Sequence, residues 1–309
     1  MGSLPLCFLL GSRKSVYPKD FVVIFWSKPL RTPKVSICLP VYNAEHTLRN
    51  TLNSVLNQTE PNWELIIQDN ASKDQSWEII SSFVTEHPSL RIKTVRLSKT
   101  VSAEENWYSC IRQTTADWIK LLFADDLIYP TCLEKQLEVA EHNSGVVIIF
   151  GKRDVISMKG KLLIKSRGLG RLRARFDRTQ LCKEILATGT NPLGEPSMVL
   201  FSKKASQRVG GFCRNNPYLV DLDYWVRILS EGDGFALDFT VGAFRIANGS
   251  GSIRLIWQQS PLFRQFLRKL SCEGLIKLNQ FGMAVAALRS ILLAGSRAAL
   301  YIFLRLTRI

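Results

Sequence analysis

The chain has little of what builds the commoner metal and redox sites. Its three histidines (His46, His87, His142) lie far apart, so neither a His-rich metal site nor a His-based nucleophilic triad is expected. Seven cysteines (7, 38, 110, 132, 182, 213, 272) include no C-x-x-C pair, and some, such as Cys38, fall inside apolar runs. That distribution argues against zinc or disulfide frameworks and for reduced, structural thiols in a cytosolic protein. No glycine occurs in Pro40–Glu45, after the first predicted strand, which speaks against a dinucleotide-dependent oxidoreductase and a sugar-phosphate nucleotidyltransferase. No uncharged run reaches the roughly 18 apolar residues that a spanning helix needs, and no internal repeat is present. Acids are scarce too: 26 against 41 Lys and Arg, a net charge of +15. The imbalance favours anionic partners such as nucleotide phosphates, anionic lipid or nucleic acid.

What is there is a chain of 309 residues, 46% apolar, able to bury a full core. Residues 1–33 read as a loosely ordered leader, with a short pairing segment at Phe21–Trp26. Beyond them short apolar runs alternate with helical patterns. Val35–Leu39, between Pro33 and Pro40, reads as a buried strand, and Asn43 as the cap of a helix carrying Leu48, Leu52, Val55 and Leu56. Trp63–Gln68, Arg91–Leu97, Trp118–Phe123, Val146–Phe150, Met198–Phe201 and Phe239–Ile246 follow as strands. Helices are expected after Asp74 up to Pro88, and over Ser102–Thr115, Cys132–His142 and from Asp221. Strands and helices in this alternation predict an α/β fold with a mostly parallel central sheet flanked by helices.

Between Gly151 and Lys183 the chain turns basic, with Lys159, Lys161, Lys165, Arg167, Arg171, Arg173, Arg175 and Arg178 around Gly168 and Gly170. This reads as a solvated loop or a mobile flap over an anionic ligand. Phe176 is the only aromatic in that run, and stacking on single-stranded nucleic acid needs more; no nucleic-acid partner is expected.

Acidic residues gather at element boundaries: Asp69 with Asp74, Asp125 with Asp126, and Asp221 with Asp223. Ligands of open α/β sheets bind outside the carboxyl ends of the strands, where the first two clusters fall. Paired carboxylates there suit a hard divalent cation that carries phosphates. With Pro40-Val41-Tyr42-Asn43-Ala44-Glu45, Asp69-Asn70-Ala71-Ser72-Lys73-Asp74, Ser102 to Asn106, Ala124-Asp125-Asp126, Gly210-Gly211-Phe212 and Asp221-Leu222-Asp223-Tyr224-Trp225, the chain resembles the family 2 glycosyltransferases of GT-A fold over residues 34–245.

The resemblance implies a nucleotide pocket lined by Pro40, Tyr42 and Glu45, with the Tyr42 ring stacking on a base and Asp69 accepting from it. Asn106 would lie near the donor. Asp125 and Asp126 would share the donor and a Mg or Mn cation, and Asp221 would be the general base, with Asp223 as its neighbouring candidate. It further implies inverting, metal-dependent transfer from a nucleotide sugar, in the UDP class, to a lipid-linked or surface-polysaccharide acceptor. The Gln-x-x-Arg-Trp of processive members is absent, so single-sugar addition by a bacterial-type, non-processive enzyme is expected. The chain departs from the family at Phe123, where an acid is common, at Val220, where Glu often precedes the base, and at Gln75-Ser76, where the usual Gly is missing. These departures keep a second reading open, a non-catalytic nucleotide-sugar-binding or membrane-associated scaffold of the same fold.

The expected organisation is a leader (1–33), a GT-A domain (34–250) and a basic amphipathic helical tail (251–309). In the tail, nine Lys or Arg face one acid, Glu273. Leu262, Phe263, Phe266, Leu267 and Leu270 make one helical stripe. Farther on, Arg289, Arg297, Arg305 and Arg308 fall within an arc of about 160°, with Leu288, Ile291, Leu292, Ile302, Phe303 and Leu306 mostly opposite. Such a helix would lie in an anionic membrane interface, placing the protein peripherally at the inner, cytoplasmic face of the cell membrane.

Overall fold

The computed structural model describes residues 32–213, 219–246 and 259–279, together with 282, 284–286, 288–292 and 295. Nearly all of the expected leader and the tail residues Arg297, Ile302, Phe303, Arg305, Leu306 and Arg308 lie outside them.

Strands β1 (Val35–Val41) and β2 (Trp63–Asp69) are buried at every position. Their side chains still divide by the two-residue period of a strand. Ile37, Leu39, Leu65 and Ile67 join one hydrophobic cluster, while Cys38 and Ile66 join another. A run that is apolar on both faces belongs in the middle of a sheet covered on both sides. Helices α1 (Leu48–Leu56) and α2 (Ser76–Glu86) contribute to the first cluster, and α3 (Ala103–Ile111) to the second. Strands β3 (Ile92–Arg96) and β4 (Trp118–Leu121) complete a parallel half-sheet in the order β3-β2-β1-β4.

The other half is mixed. It comprises β5 (Leu127–Ile128), β6 (Val146–Ile156), β7 (Leu162–Arg167), β8 (Ala174–Phe176), β9 (Val199–Ser202) and β10 (Asp233–Arg245). β9 runs antiparallel between β4 and β6, β10 pairs parallel with β6, and β5 closes the edge antiparallel to β10. α4 (Cys132–His142) matches the sequence expectation at both ends. The basic stretch after Gly151 is not the loop or flap expected: β6 continues to Ile156 and turns through Gly160 (φ +82°) into β7, and β8 joins β10. The surrounding charges hide this in sequence because β7, the hairpin partner of β6, is exposed along most of its length and buries no apolar face that a pattern would show. Asn43 is no helix cap either. It sits at φ +49° and accepts from the Lys73 N–H (2.9 Å), tying two loops together.

On the second face lie α5 (Arg178–Thr188), α6 (Lys203–Val209), α7 (Val220–Ile228) and α8 (Gln259–Cys272). α5 begins on a complete capping box, Asp177 with Gln180. In α8 the predicted stripe is real, and it faces inward: Phe263, Phe266, Leu267 and Leu270 are buried in the same cluster as Tyr224 and Trp225 of α7. Each such side chain contributes about 1.5–3 kcal/mol of transfer free energy. This part of the tail is therefore packed on the second face of the sheet.

Candidate active site

Two loops at the carboxyl ends of β1 and β2 build the first wall. They are stitched by backbone-to-side-chain hydrogen bonds: Asn43 N–H to Ser72 Oγ (3.0 Å), Ala44 N–H to Ser76 Oγ (2.8 Å), Glu45 N–H to Asp74 (3.0 Å) and Gln75 N–H to Glu45 (3.0 Å). Ala71 sits at φ +54°, a conformation that costs a residue with a Cβ and persists only when its surroundings enforce it. Burial opposes ionisation of Asp74, but its hydrogen bonds from Ser76 and Glu45 win and hold its carboxyl below the ordinary range. Asp74 and Glu45 thus fix the loops, and Pro40 is buried within β1. Tyr42 stands out as the free surface, 49% exposed at the loop tip.

Asp69 closes β2 with no exposed surface. It accepts from the Ser72 N–H and pairs with Arg96 at 3.2 Å, and burial still pushes its carboxyl up. The Arg96 guanidinium, 40% exposed on its side chain, lies over the Trp77 ring. Asn106 is buried on α3, its side-chain Oδ1 accepting from Gln68 Nε2 at 2.8 Å, so it braces the end of β2 from behind.

The Asp125–Asp126 turn follows β4, and the structure separates the two acids. Asp126 is 1% exposed, with one oxygen accepting from Ser197 Oγ (2.6 Å) and the other from the Arg245 N–H (3.1 Å). Burial and the adjacent Asp125 push its carboxyl well up. Thr47 and Thr51 donate to the Ala124 carbonyl, and Thr51 also to that of Asp126, which anchors the turn to α1. Arg245 Nε donates to the Asp125 carbonyl (2.9 Å) and Arg245 Nη1 to Ser157 and Met158. At Gly242 a Cβ would come within 2.3 Å of the Leu127 carbonyl, so only glycine allows β10 this close to β5. Asp125 is left half-buried, its carboxyl raised by desolvation and drawn back by Arg245.

Phe123 occupies the place of the missing acid. Its ring meets Trp107 (4.9 Å), Trp107 meets Phe212 (5.5 Å), and Phe212 meets Tyr224 (4.2 Å). This aromatic row leads from the turn to α7, where the two further acids part company. Asp221 is half-buried, accepting from the Asn191 side-chain N–H (3.0 Å) and the Leu222 N–H (2.8 Å). Burial raises its carboxyl to about 6, with Glu195 adding to the rise and the Asn191 bond opposing it. Asp223 is a correction to its candidacy as a base. It is 5% exposed and clamped between Arg227 (3.0 Å) and Lys269 of α8, so both of its oxygens are engaged and it serves as a bridge between helices.

The segment between α5 and β9 carries residues that contact the candidate site and that pattern reading passed over. Asn191 holds Asp221, Ser197 holds Asp126, and Glu195 pairs with Arg153. Nothing periodic marks them; the only sequence signal is a polar cluster around Pro192 and Pro196.

Among the described residues no group of three or more His, Cys, Asp or Glu could hold a metal by itself. One half-open carboxylate, Asp125, still fits a hard cation that takes most of its oxygens from a diphosphate.

The sequence profile of glycosyl transferase family 2 matches residues 36–209, more than half the chain. The putative glycosyltransferase EpsE of Bacillus subtilis is 28% identical over 207 residues, 65% of this chain and 68% of that protein. The Escherichia coli protein WfgD, a UDP-Glc:alpha-D-GlcNAc-diphosphoundecaprenol beta-1,3-glucosyltransferase, is 30% identical over 160 residues, 48% of this chain and 61% of its own. The crystal structure of Staphylococcus aureus TarS 1-349 with UDP superposes with a TM-score of 0.59 at 14% identity, covering 84% of this chain and 70% of that one. The mannosyltransferase PcManGT of Pyrobaculum calidifontis, in complex with GDP-Man and Mn2+, superposes at 0.58 with 14% identity, covering 85% and 70%. At that identity the solved structures establish the GT-A-type fold, and the profile establishes the lineage: the chain belongs to the glycosyl transferase family 2.

Proposed function

We infer that the protein is an inverting, metal-dependent glycosyltransferase that moves one sugar from a UDP-sugar to a hydroxyl of a lipid-linked or surface-polysaccharide acceptor. The observation that carries this reading is Asp221, a half-open carboxylate raised to about 6 and aimed by Asn191. A general base works best with a pKa near the working pH and within hydrogen-bond reach of its proton. The acceptor O–H gives its proton to Asp221 as the oxygen attacks the anomeric carbon. The bond from that carbon to the diphosphate oxygen breaks, and the electron pair leaves with UDP. Attack opposite the leaving group inverts the anomeric centre.

On the donor side, Tyr42 offers its exposed ring to the base, and Arg96, held by the buried Asp69, offers a donor to a uracil carbonyl. Asp125, steadied by the fully engaged Asp126, is the carboxylate open to Mg2+ or Mn2+. Such a cation neutralises the charge that develops on the departing diphosphate. The names of WfgD, with its UDP-Glc donor and diphosphoundecaprenol acceptor, and of PcManGT, with Mn2+, support the donor class, acceptor class and metal by analogy. Among the described residues no helix is long and apolar enough to cross a membrane; the basic tail is what supports a place at the cytoplasmic face of the membrane.

The test is turnover of a UDP-sugar panel, with water and with polyprenyl-diphosphate-linked sugars as acceptors, by wild type, Asp125→Asn and Asp221→Asn. Wild type should turn over with Mn2+ and give the inverted anomer by NMR, and both variants should lose at least a hundredfold. Equal turnover in all three refutes the site. Intact UDP binding with no turnover in the wild type favours the scaffold reading, to which Phe123 in place of an acid lends support.

A further inference from the structure

A second surface, away from the nucleotide loops, combines an open cationic cavity with exposed leucines. The face of α5 formed by Gln180, Lys183, Glu184 and Ala187, together with Arg171 and Arg173, lines a cavity of about 410 Å3. Its one acid is spent: Glu184 is 6% exposed and accepts from the Arg171 N–H at 3.0 Å. The Arg173 guanidinium is held open by the carbonyls of Gly170 (3.0 Å) and Leu172 (2.7 Å). Arg171 and Lys183 are exposed, and neither charged group has an ion-pair partner among the described residues.

At the end of α5 the cavity meets the tail. Ala187, one of its lining residues, accepts at its carbonyl from Arg289 Nη1. Gly189, at φ +69°, lets residues 289 and 290 approach so closely that a Cβ there would lie 3.2 Å from that of Arg289. Ala286 and Ser290 are buried by this packing, while Leu288, Ile291 and Leu292 are 58%, 53% and 63% exposed. At 100° per residue the three apolar side chains span about 100°, centred roughly opposite the buried Ala286 and Ser290. Arg289 therefore turns toward the domain and the apolar arc turns outward.

We propose that this surface docks on an anionic phospholipid leaflet, with a lipid phosphate in the Arg171–Lys183 cavity and Leu288, Ile291 and Leu292 at the headgroup–acyl boundary. Cations beside an apolar arc match an anionic interface on both counts. A second copy of the chain would bring the same +15 charge and the same cations to the contact. The placement also suits the chemistry, a point that rests on the transferase reading. Three residues beyond α5, Asn191 holds Asp221, so the docked face lies on the side of the base, where an acceptor hydroxyl must arrive.

Flotation of the full chain with phosphatidylcholine vesicles, with and without phosphatidylglycerol, tests the proposal independently of turnover. Wild type should float with the anionic vesicles only and be released by salt. The pair Arg171→Glu/Lys183→Glu and the triple Leu288→Ser/Ile291→Ser/Leu292→Ser should each lower partitioning by roughly tenfold or more, with UDP affinity and Tm unchanged. Equal binding to neutral vesicles, no flotation, or unchanged flotation of either variant overturns it. So does full competition by an equal concentration of inorganic phosphate, which marks a free-phosphate site. A dimer in light scattering that the leucine variant dissolves, with no vesicle binding, overturns it in favour of a second copy.

Discussion

Asn191→Ala isolates how this fold sets the basicity of Asp221. Burial drives the carboxyl up to about 6, and the Asn191 N–H at 3.0 Å, bonded to the ionised form, restrains it. Glu195, paired with Arg153, adds a like charge nearby. A hydrogen bond to a charged group contributes about 1.5–3 kcal/mol, and one pKa unit is about 1.4 kcal/mol. Losing the bond should therefore lift Asp221 by about 1–2 units. At pH 7 a base of pKa 6 is about nine-tenths ionised, whereas one of 7 to 8 is about one-half to one-tenth ionised. The variant should lose roughly twofold to tenfold in kcat/KM at pH 7 and recover near pH 9. In both proteins log kcat/KM should fall with unit slope below the Asp221 pKa. The assay is the pH profile of sugar transfer, with KM for the donor followed separately. A uniform loss at every pH, or an acid limb that stays near 6, would refute this account of Asn191 as a positioning residue for the base.

Three further outcomes follow from the geometry. Mn2+ should bind the free protein weakly and bind tightly only with UDP present, because Asp126 is fully engaged and the turn after β4 offers the cation Asp125 alone; tight calorimetric binding without nucleotide contradicts that. Lys120 is fully buried, bonded to Gln136 (2.9 Å) beside the Cys132 thiol, and its amine is lowered by burial. The unfolded chain binds its proton more readily, so stability should rise with pH towards the ordinary lysine value. Lys120→Met should abolish that slope and stabilise by roughly 1–2 kcal/mol at pH 7, and parallel denaturation curves from pH 7 to 10 would disprove it. Ala71→Gly relieves a left-handed backbone and should raise stability by about 0.5–1 kcal/mol in urea melts, whereas destabilisation would mean that the Cβ packs usefully.

The sequence by itself determined the elements that local physics specifies. β1 and β2 are apolar on both faces and could only be central strands, and α4 carries its own boundaries. The acidic turns after β2 and β4 had to share the carboxyl edge once the strands were parallel. The site was legible as far as which acids lie at element ends, and no farther. Asp125 and Asp126 are chemically alike in sequence, as are Asp221 and Asp223. Burial against Ser197 and Arg245 makes Asp126 an anchor, and Arg227 with Lys269 makes Asp223 a helix bridge, leaving Asp125 and Asp221 open. Those partners stand 4 to 119 residues away in the chain. The mixed half-sheet was hidden in part for the same reason: β8 owes its conformation to β10 across the sheet, while β7, an exposed hairpin strand on β6, buries no apolar face. What a residue is near in space sets its protonation and its exposure, and only the tertiary structure decides that.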